Sequence, residues 1–353
     1  MYRSAFSCIS PAFERMMATC FRPFRIGVWA PLALIAFLAG EVGFGGGGNS
    51  GRALRGRGWG RPIPPLSIGH PAWAAIVSIG IAIAAVAFLL FLIFAYLNAR
   101  ARFVLMNAAI ERTCRLGGMW REWRDHANRY FGFNVLLAIV SFATLLWVGF
   151  RILHTLISAG VMHGARPEVG ELLSGLIGPI FVAISVGLLL ALINVFAKDF
   201  LVPIMGFEGR TVGNGWERLR GIMAEEPAEF IVYVITKIVL TMASWFVRMI
   251  VMIPVLIGVA IPVGVLVVAG IAIAKGSAVV GIALGFLGFI VFAPLFLVVI
   301  AMISVPFAVF FESYALEFIA GRVPPVEAAL RGAVPYLPVP AGSPITPGLP
   351  NPV

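Results

Sequence analysis

The chain has 353 residues, of which 60% are hydrophobic and 12% charged, with a formal net charge of +10. A soluble globular domain carries roughly 25% charged residues, so that class is excluded; apolar runs that are continuous, not alternating, argue against a β-barrel. The arginines gather in short loops beside hydrophobic ends, which points to membrane topology and anionic head groups and away from nucleic acid.

Residues 1–25 place Arg3, Arg15, Arg22 and Arg25 among Phe13, Met16, Met17, Phe21 and Phe24. That mixture is too polar for a signal-peptide core. It predicts a cytosolic interfacial helix with aromatics in the head groups and arginines snorkelling. A first span follows over 26–44, holding Pro31 and one acid, Glu41. The Gly/Arg/Pro loop after it lacks the Lys-Ser/Thr ending of a phosphate loop. A second span covers 71–98 and runs into an exit that carries Glu111.

The segment MWREWRDHANRY, 119–130, predicts a short surface helix, with Trp120 and Trp123 on one side and Arg121, Arg124 and Arg129 available to lipid phosphate. Spans three and four cover 131–158 and 171–197. A central exit over 198–220 contains Glu208, Trp216 and Arg218, and span five has its core at 227–248. Residues 249–274 stay apolar but are broken by Pro254, Gly258, Pro262, Gly264 and Gly270. They read as a bent continuation, a re-entrant piece or a further span. Parity selects between these: if the exits at Glu111, Glu208 and Glu312 share one face, the crossings between Glu217 and Glu312 are even in number, so 249–274 is an extended or re-entrant piece. The last span is 277–311. The tail from 321 is rich in proline and predicts disorder or polyproline II.

The expectation is an all-α integral membrane bundle of about six transmembrane helices over 26–320. The three exits also resemble one another, with Glu111, Glu208 and Glu312 about a hundred residues apart, and Glu14, Glu122 and Glu217 follow the same period. Three hairpin repeats, about 14–111, 122–208 and 217–312, joined by cytosolic amphipathic connectors, account for both series. The largest basic cluster, Arg100 to Arg129, belongs in the cytosol by the positive-inside rule, which puts both termini there. The arginines of the first outer loop, Arg52, Arg55, Arg57 and Arg61, run against that assignment.

Ionisable residues inside spans call for a functional hypothesis. Arg151 and Arg248 occupy equivalent places in the repeat and fall near the outer interface, where Glu41 is expected to pair with one of them. Lys237 is close enough to the cytosolic face to snorkel. Asn98 and Asn194 sit near equivalent inner ends of spans two and four, as helix glue or as ligand groups. Glu111, Glu208 and Glu312 either accept from neighbouring arginines, with Arg112, Arg210 and Arg218 as donors, or ring a cytosolic mouth. His70, His126, His154 and His163 are scattered, and Cys8, Cys20 and Cys114 have neither ligand nor disulfide spacing. No catalytic constellation, cofactor or metal site is expected.

The stretch FLVPIMGFEGRTVGNGWERLRGIMAEEPAEFIVYVI, together with FRPFRIGVWAPLALIAFLAG and ARFVLMNAAIERTCR, resembles a broad group of prokaryotic membrane proteins similar to the membrane domain of glycerophosphoryl diester phosphodiesterases. The resemblance covers roughly residues 10 to 320 and implies a multi-span helical domain in a bacterial or archaeal inner membrane. The catalytic barrel of those enzymes has no counterpart here, so their chemistry is not implied. Two functions fit: a non-catalytic module that binds anionic lipids or a protein partner, or a transporter or channel for a small solute or ion.

Overall fold

The computed structural model describes residues 4–22, 24–41, 70–111, 116–158, 169–274 and 278–332. Among them every regular element is a helix. The chain runs α1 (Ile9–Cys20), α2 (Ile26–Leu38), α3 (His70–Glu111), α4 (Leu116–Glu122), α5 (Arg124–Ser158) and α6 (Val169–Phe196), then a π-helical turn (Ala197–Leu201), α7 (Val202–Glu208), α8 (Val212–Glu225), α9 (Pro227–Ala274), α10 (Ala278–Ala320) and α11 (Pro324–Leu330).

Among the described residues five segments are long and apolar enough to cross a membrane: Ala85–Glu111, Arg124–Ser158, Leu173–Glu208, Pro227–Gly258 and Phe292–Ala320. The expected first span, 26–44, is shorter than these over its described residues. Its helix α2 has 13 residues, a rise of about 20 Å against a hydrocarbon core of about 30 Å. It stops because Gly40, at φ 73°, turns the chain back after Leu38. Residues 249–274 continue α9 without a break through Pro254 and Pro262, as prolines can in apolar helices whose neighbours compensate the lost hydrogen bond.

Packing is concentrated at one end, the base. There Phe103 stacks on Trp123 at 5.4 Å, and Phe200, Phe230, Tyr233, Tyr314 and Phe318 form a second aromatic group, with Tyr233 parallel to Tyr314 at 5.1 Å. The apolar midsections of α5, α6 and α9, with Leu145, Phe181, Leu188 and Ile250 as examples, are largely exposed to the surroundings. A row of neighbours runs α6, α5, α3, α2, α10, α9, with α5/α6 and α9/α10 as antiparallel hairpins.

The ends of the chain complete the base, which changes two expectations. Arg15 does not snorkel: it is buried and donates to Glu317 and to the carbonyl of Leu330, each at 3.2 Å. Helix α1 packs on α10, while Phe6, Phe13, Phe21 and Phe24 stay exposed. Nor is the start of the tail irregular, because Pro324 opens the short helix α11, whose Val326 is buried. Arg322, also buried, lies over Phe318 at 4.1 Å and pairs with Glu226 at 2.7 Å. The rest of the tail, from 333, lies outside the described residues, as do Arg112, Cys114, His163 and the first outer loop.

Candidate functional site

Where α6 reaches the base, its hydrogen bonding loosens into the π-helical turn over Ala197–Leu201. Such a turn inserts an extra residue and re-aims the side chains around it, often at functional sites. Here it aims two adjacent charges at different partners. Lys198 pairs with Glu41, and Asp199 pairs with Lys237 of α9 while accepting from the Tyr233 hydroxyl at 2.9 Å. Glu41 also receives Arg102 of α3 at 2.9 Å, and Asn98, one turn earlier, donates to the carbonyl of Leu38 at 3.0 Å.

The Glu41 carboxyl sits between opposing effects. Burial pushes it up, and the charges of Lys198 and Arg102 outweigh burial and hold it at about 2. The expected pairing of Glu41 with Arg151 or Arg248 is therefore replaced by one with Arg102 and Lys198. The reason is the length of α2: it ends too early to carry Glu41 to the outer ends of the spans. Arg248 instead lies over the Phe307 ring at 4.5 Å, and Arg151 is exposed on α5.

The three repeat glutamates occupy three different settings. Glu111 is exposed at the end of α3. Glu208 accepts from Arg210 at 2.5 Å and forms an ion pair with Arg218 at 3.7 Å. Glu312 is buried, with no hydrogen bond or ion pair among the described residues; the charges acting on it are Lys198 and Arg102, which attract, and Glu41 and Asp199, which repel. No ring of equivalent carboxylates results.

Among the residues expected at lipid head groups, Arg121 and Arg124 are exposed, while Trp120 and Trp216 are half-buried. Arg100 lies between Trp120 and Tyr96, and Trp216 packs near Phe133. Trp123 is a correction. Helix α4 breaks at Glu122, the chain turns, and the indole enters the core against Phe103 instead of following Trp120 along one surface.

Beside the charged layer, α3, α5 and α6 border a cavity of about 600 Å³ that is open on one side, where Phe91, Phe94 and Leu145 are exposed. Its two ends differ. Asn98, Arg102, Tyr130, Asn134 and Asn194 line the end nearest the base, and Phe91, Leu145, Val148 and Val186 line the other. Ser141 and Thr144 lie between, but their hydroxyls donate to carbonyls one turn back on α5 at 2.8 and 2.9 Å. Unsatisfied polar capacity is thus confined to the base end. Tyr130 is fully buried and its hydroxyl has no hydrogen bond of good geometry, the side chain of Asn134 being the polar group beside it. The exposed amide of Asn194 makes no hydrogen bond to a described residue. Along α3 from Arg102 to Phe91 the cavity extends about 16 Å, close to half the hydrocarbon thickness.

Sequence reasoning placed Asn98 and Asn194 at equivalent inner ends, and the structure brings both to this cavity. It did not single out Arg102, Tyr130 or Asn134, nor the partners of Lys198 and Asp199. A signal for the last was present: Lys-Asp interrupts an apolar run that continues on both sides. Among the described residues no three His, Cys, Asp or Glu side chains gather as a metal site.

This arrangement, a layer of buried charge under an amphipathic cavity in a multi-pass helical bundle, defines a membrane protein with an internal polar site. Residues 3–327 match a family described as Family of unknown function (DUF7544), and the chain belongs to that family. No curated protein and no solved structure matches it.

Proposed function

We propose that this protein binds one anionic amphiphile, a lipid of the cytosolic leaflet, in the cavity between α3, α5 and α6. The observation that carries the reading is the polarity of the cavity: a guanidinium, a buried hydroxyl without a well-formed hydrogen bond and an amide with no partner among the described residues at one end, hydrocarbon walls at the other. An unpaired polar group in an apolar environment costs roughly 2 to 7 kcal/mol. A head group at Arg102, Tyr130 and Asn194 offsets that cost, and an acyl chain fills the remainder. The depth of about one leaflet suits a lipid standing upright in its own monolayer.

In this reading the base faces the cytosol of a bacterial or archaeal cell, both termini are cytosolic, and exposed Arg121 and Arg124 meet anionic head groups. The hairpins α5/α6 and α9/α10, each leaving the base and returning to it, support descent from a repeated unit. The resemblance to the membrane domain of glycerophosphoryl diester phosphodiesterases agrees with a lipid-facing role without catalysis. A transporter is the second reading, favoured by the ion pairs that sit at the inner end of the cavity.

The test is competition in nanodiscs: native mass spectrometry of protein in mixed phosphatidylglycerol and phosphatidylcholine. Wild type is expected to retain one phosphatidylglycerol preferentially, and Arg102→Gln to lose that preference by at least tenfold. Equal retention of the two lipids by wild type sinks the proposal. Movement of labelled lipid or solute across proteoliposomes, abolished by the same substitution, turns binding into transport.

A further inference from the structure

The charged layer beneath the cavity contains three cations, Arg102, Lys198 and Lys237, and three carboxylates, Glu41, Asp199 and Glu312. These six balance when all are ionised; Arg248, whose charge also reaches Glu41, lies outside the set, over the Phe307 ring. Two of the carboxylates are in direct contact with partners: Glu41 with Arg102 and Lys198, Asp199 with Lys237 and the Tyr233 hydroxyl. Glu312 is the exception. It is buried on α10 and has no hydrogen bond or ion pair among the described residues. The groups whose charges reach it come from five elements: Arg102 of α3, Lys198 and Asp199 of the π-helical turn, Glu41 after α2, Tyr130 of α5 and Tyr233 of α9.

Arg102 and Tyr130 also line the cavity. An anion seated there adds one negative charge to a buried set that was neutral, and takes up part of the attraction from Arg102 that Glu312 feels. Within a low-dielectric interior such an excess is costly. The layer can relieve it at one place, because protonating Glu41 or Asp199 sacrifices an existing ion pair and protonating Glu312 sacrifices none.

We infer that Glu312 takes up a proton from solution when the cavity receives an anionic amphiphile, so that binding of the anion and of a proton are coupled. No covalent bond changes; the proton moves from solvent to a Glu312 carboxylate oxygen and returns when the anion leaves. The inference rests on the anionic-amphiphile reading of the cavity. By linkage, the anion raises the affinity of Glu312 for protons. Affinity for the anion is therefore highest at low pH and falls, by up to tenfold per pH unit for one proton, as pH rises between the proton affinities of the empty and filled states. Above that window it is flat.

The experiment is calorimetric titration of the full chain in phosphatidylcholine nanodiscs with lysophosphatidylglycerol, whose phosphodiester does not titrate near neutrality. Paired buffers of different ionisation enthalpy, between pH 5 and 9, count the protons. The expected result is an uptake approaching one proton per bound molecule within a window of that range, with Glu312→Gln binding at the wild-type low-pH affinity at every pH. No proton uptake by wild type anywhere in the range overturns the inference, as does an unchanged pH slope in Glu312→Gln. The proton count is made on wild type alone, so it stands even if the variant fails to fold. If lysophosphatidylglycerol binds no better than lysophosphatidylcholine, the lipid reading itself has failed, an outcome separate from binding without proton uptake.

Discussion

Replacing Glu41 by Gln removes the counter-charge from two buried cations and leaves the shape of the side chain nearly unchanged. The carboxyl is held at about 2 in place of an ordinary 4.5, a difference worth about 3 kcal/mol of folded-state preference for the charged form. Breaking a buried pair by removing one partner costs about 3 to 5 kcal/mol in other proteins, so two routes give the same magnitude. Because this carboxyl is depressed in the folded protein, its contribution is complete above pH 4.5. It is lost as pH falls from there towards 2. The assay is reversible unfolding in mixed micelles at pH 7 and at decreasing pH, with Glu41→Gln, Lys198→Met and the double variant. Glu41→Gln is expected to be about 3 kcal/mol less stable at pH 7, with the gap narrowing below pH 4.5. Lys198→Met leaves Arg102 paired one-to-one with Glu41 and is expected to cost less. A pH 7 difference under about 0.5 kcal/mol, the range of ordinary surface substitutions, would refute the claim that Glu41 holds this layer together.

Gly206→Val tests the packing of the base. A Cβ there would stand 2.9 Å from the Trp123 ring and 3.1 Å from Met106, and overpacking of this kind costs typically 1 to 3 kcal/mol. The loss is expected in thermal unfolding, with partial recovery when Trp123→Leu is combined with it; additive losses would count against the contact. Cys8 and Cys20 are buried, and burial pushes the Cys20 thiol up to about 12. In a Cys114→Ser background neither is expected to react with maleimide at pH 8 until detergent denaturation, and mass-shift electrophoresis reads the difference. Rapid labelling of native Cys20 would contradict its burial.

The class of fold was legible because length and apolarity suffice to mark spans such as 131–158 and 227–248. The bends were harder. Pro254 and Pro262 left 249–274 open as an extended or a re-entrant piece, and it is the extension: the helix passes through both, because an apolar segment with a packed neighbour can tolerate a proline that an isolated helix cannot. Glu41 was misplaced because counting residues assumed a full-length first span, and a single glycine turn ended that helix early. The site shows the same division. Asn98 and Asn194 stood out as polar residues in apolar spans, while Arg102 was hidden among the surface arginines around it and Tyr130 among ordinary aromatics. Lys198 and Asp199 needed the π-helical turn, a backbone irregularity that no composition or period announces, before adjacent residues could serve two different ion pairs.

The contact between Arg15 and Glu317 joins residues 302 positions apart. A ribosome synthesising this chain has therefore made α1 long before the helix it docks on exists. Through insertion of every intervening span, the amphipathic N-terminal helix has no α10 to bury Arg15 against. The membrane surface is the place where its exposed phenylalanines can wait. Docking of α1 is then the closing step of assembly, after the last span is in place, and the slow formation of such distant contacts applies to it in full. The base is sealed by a helix made well before its partner, and sealed last.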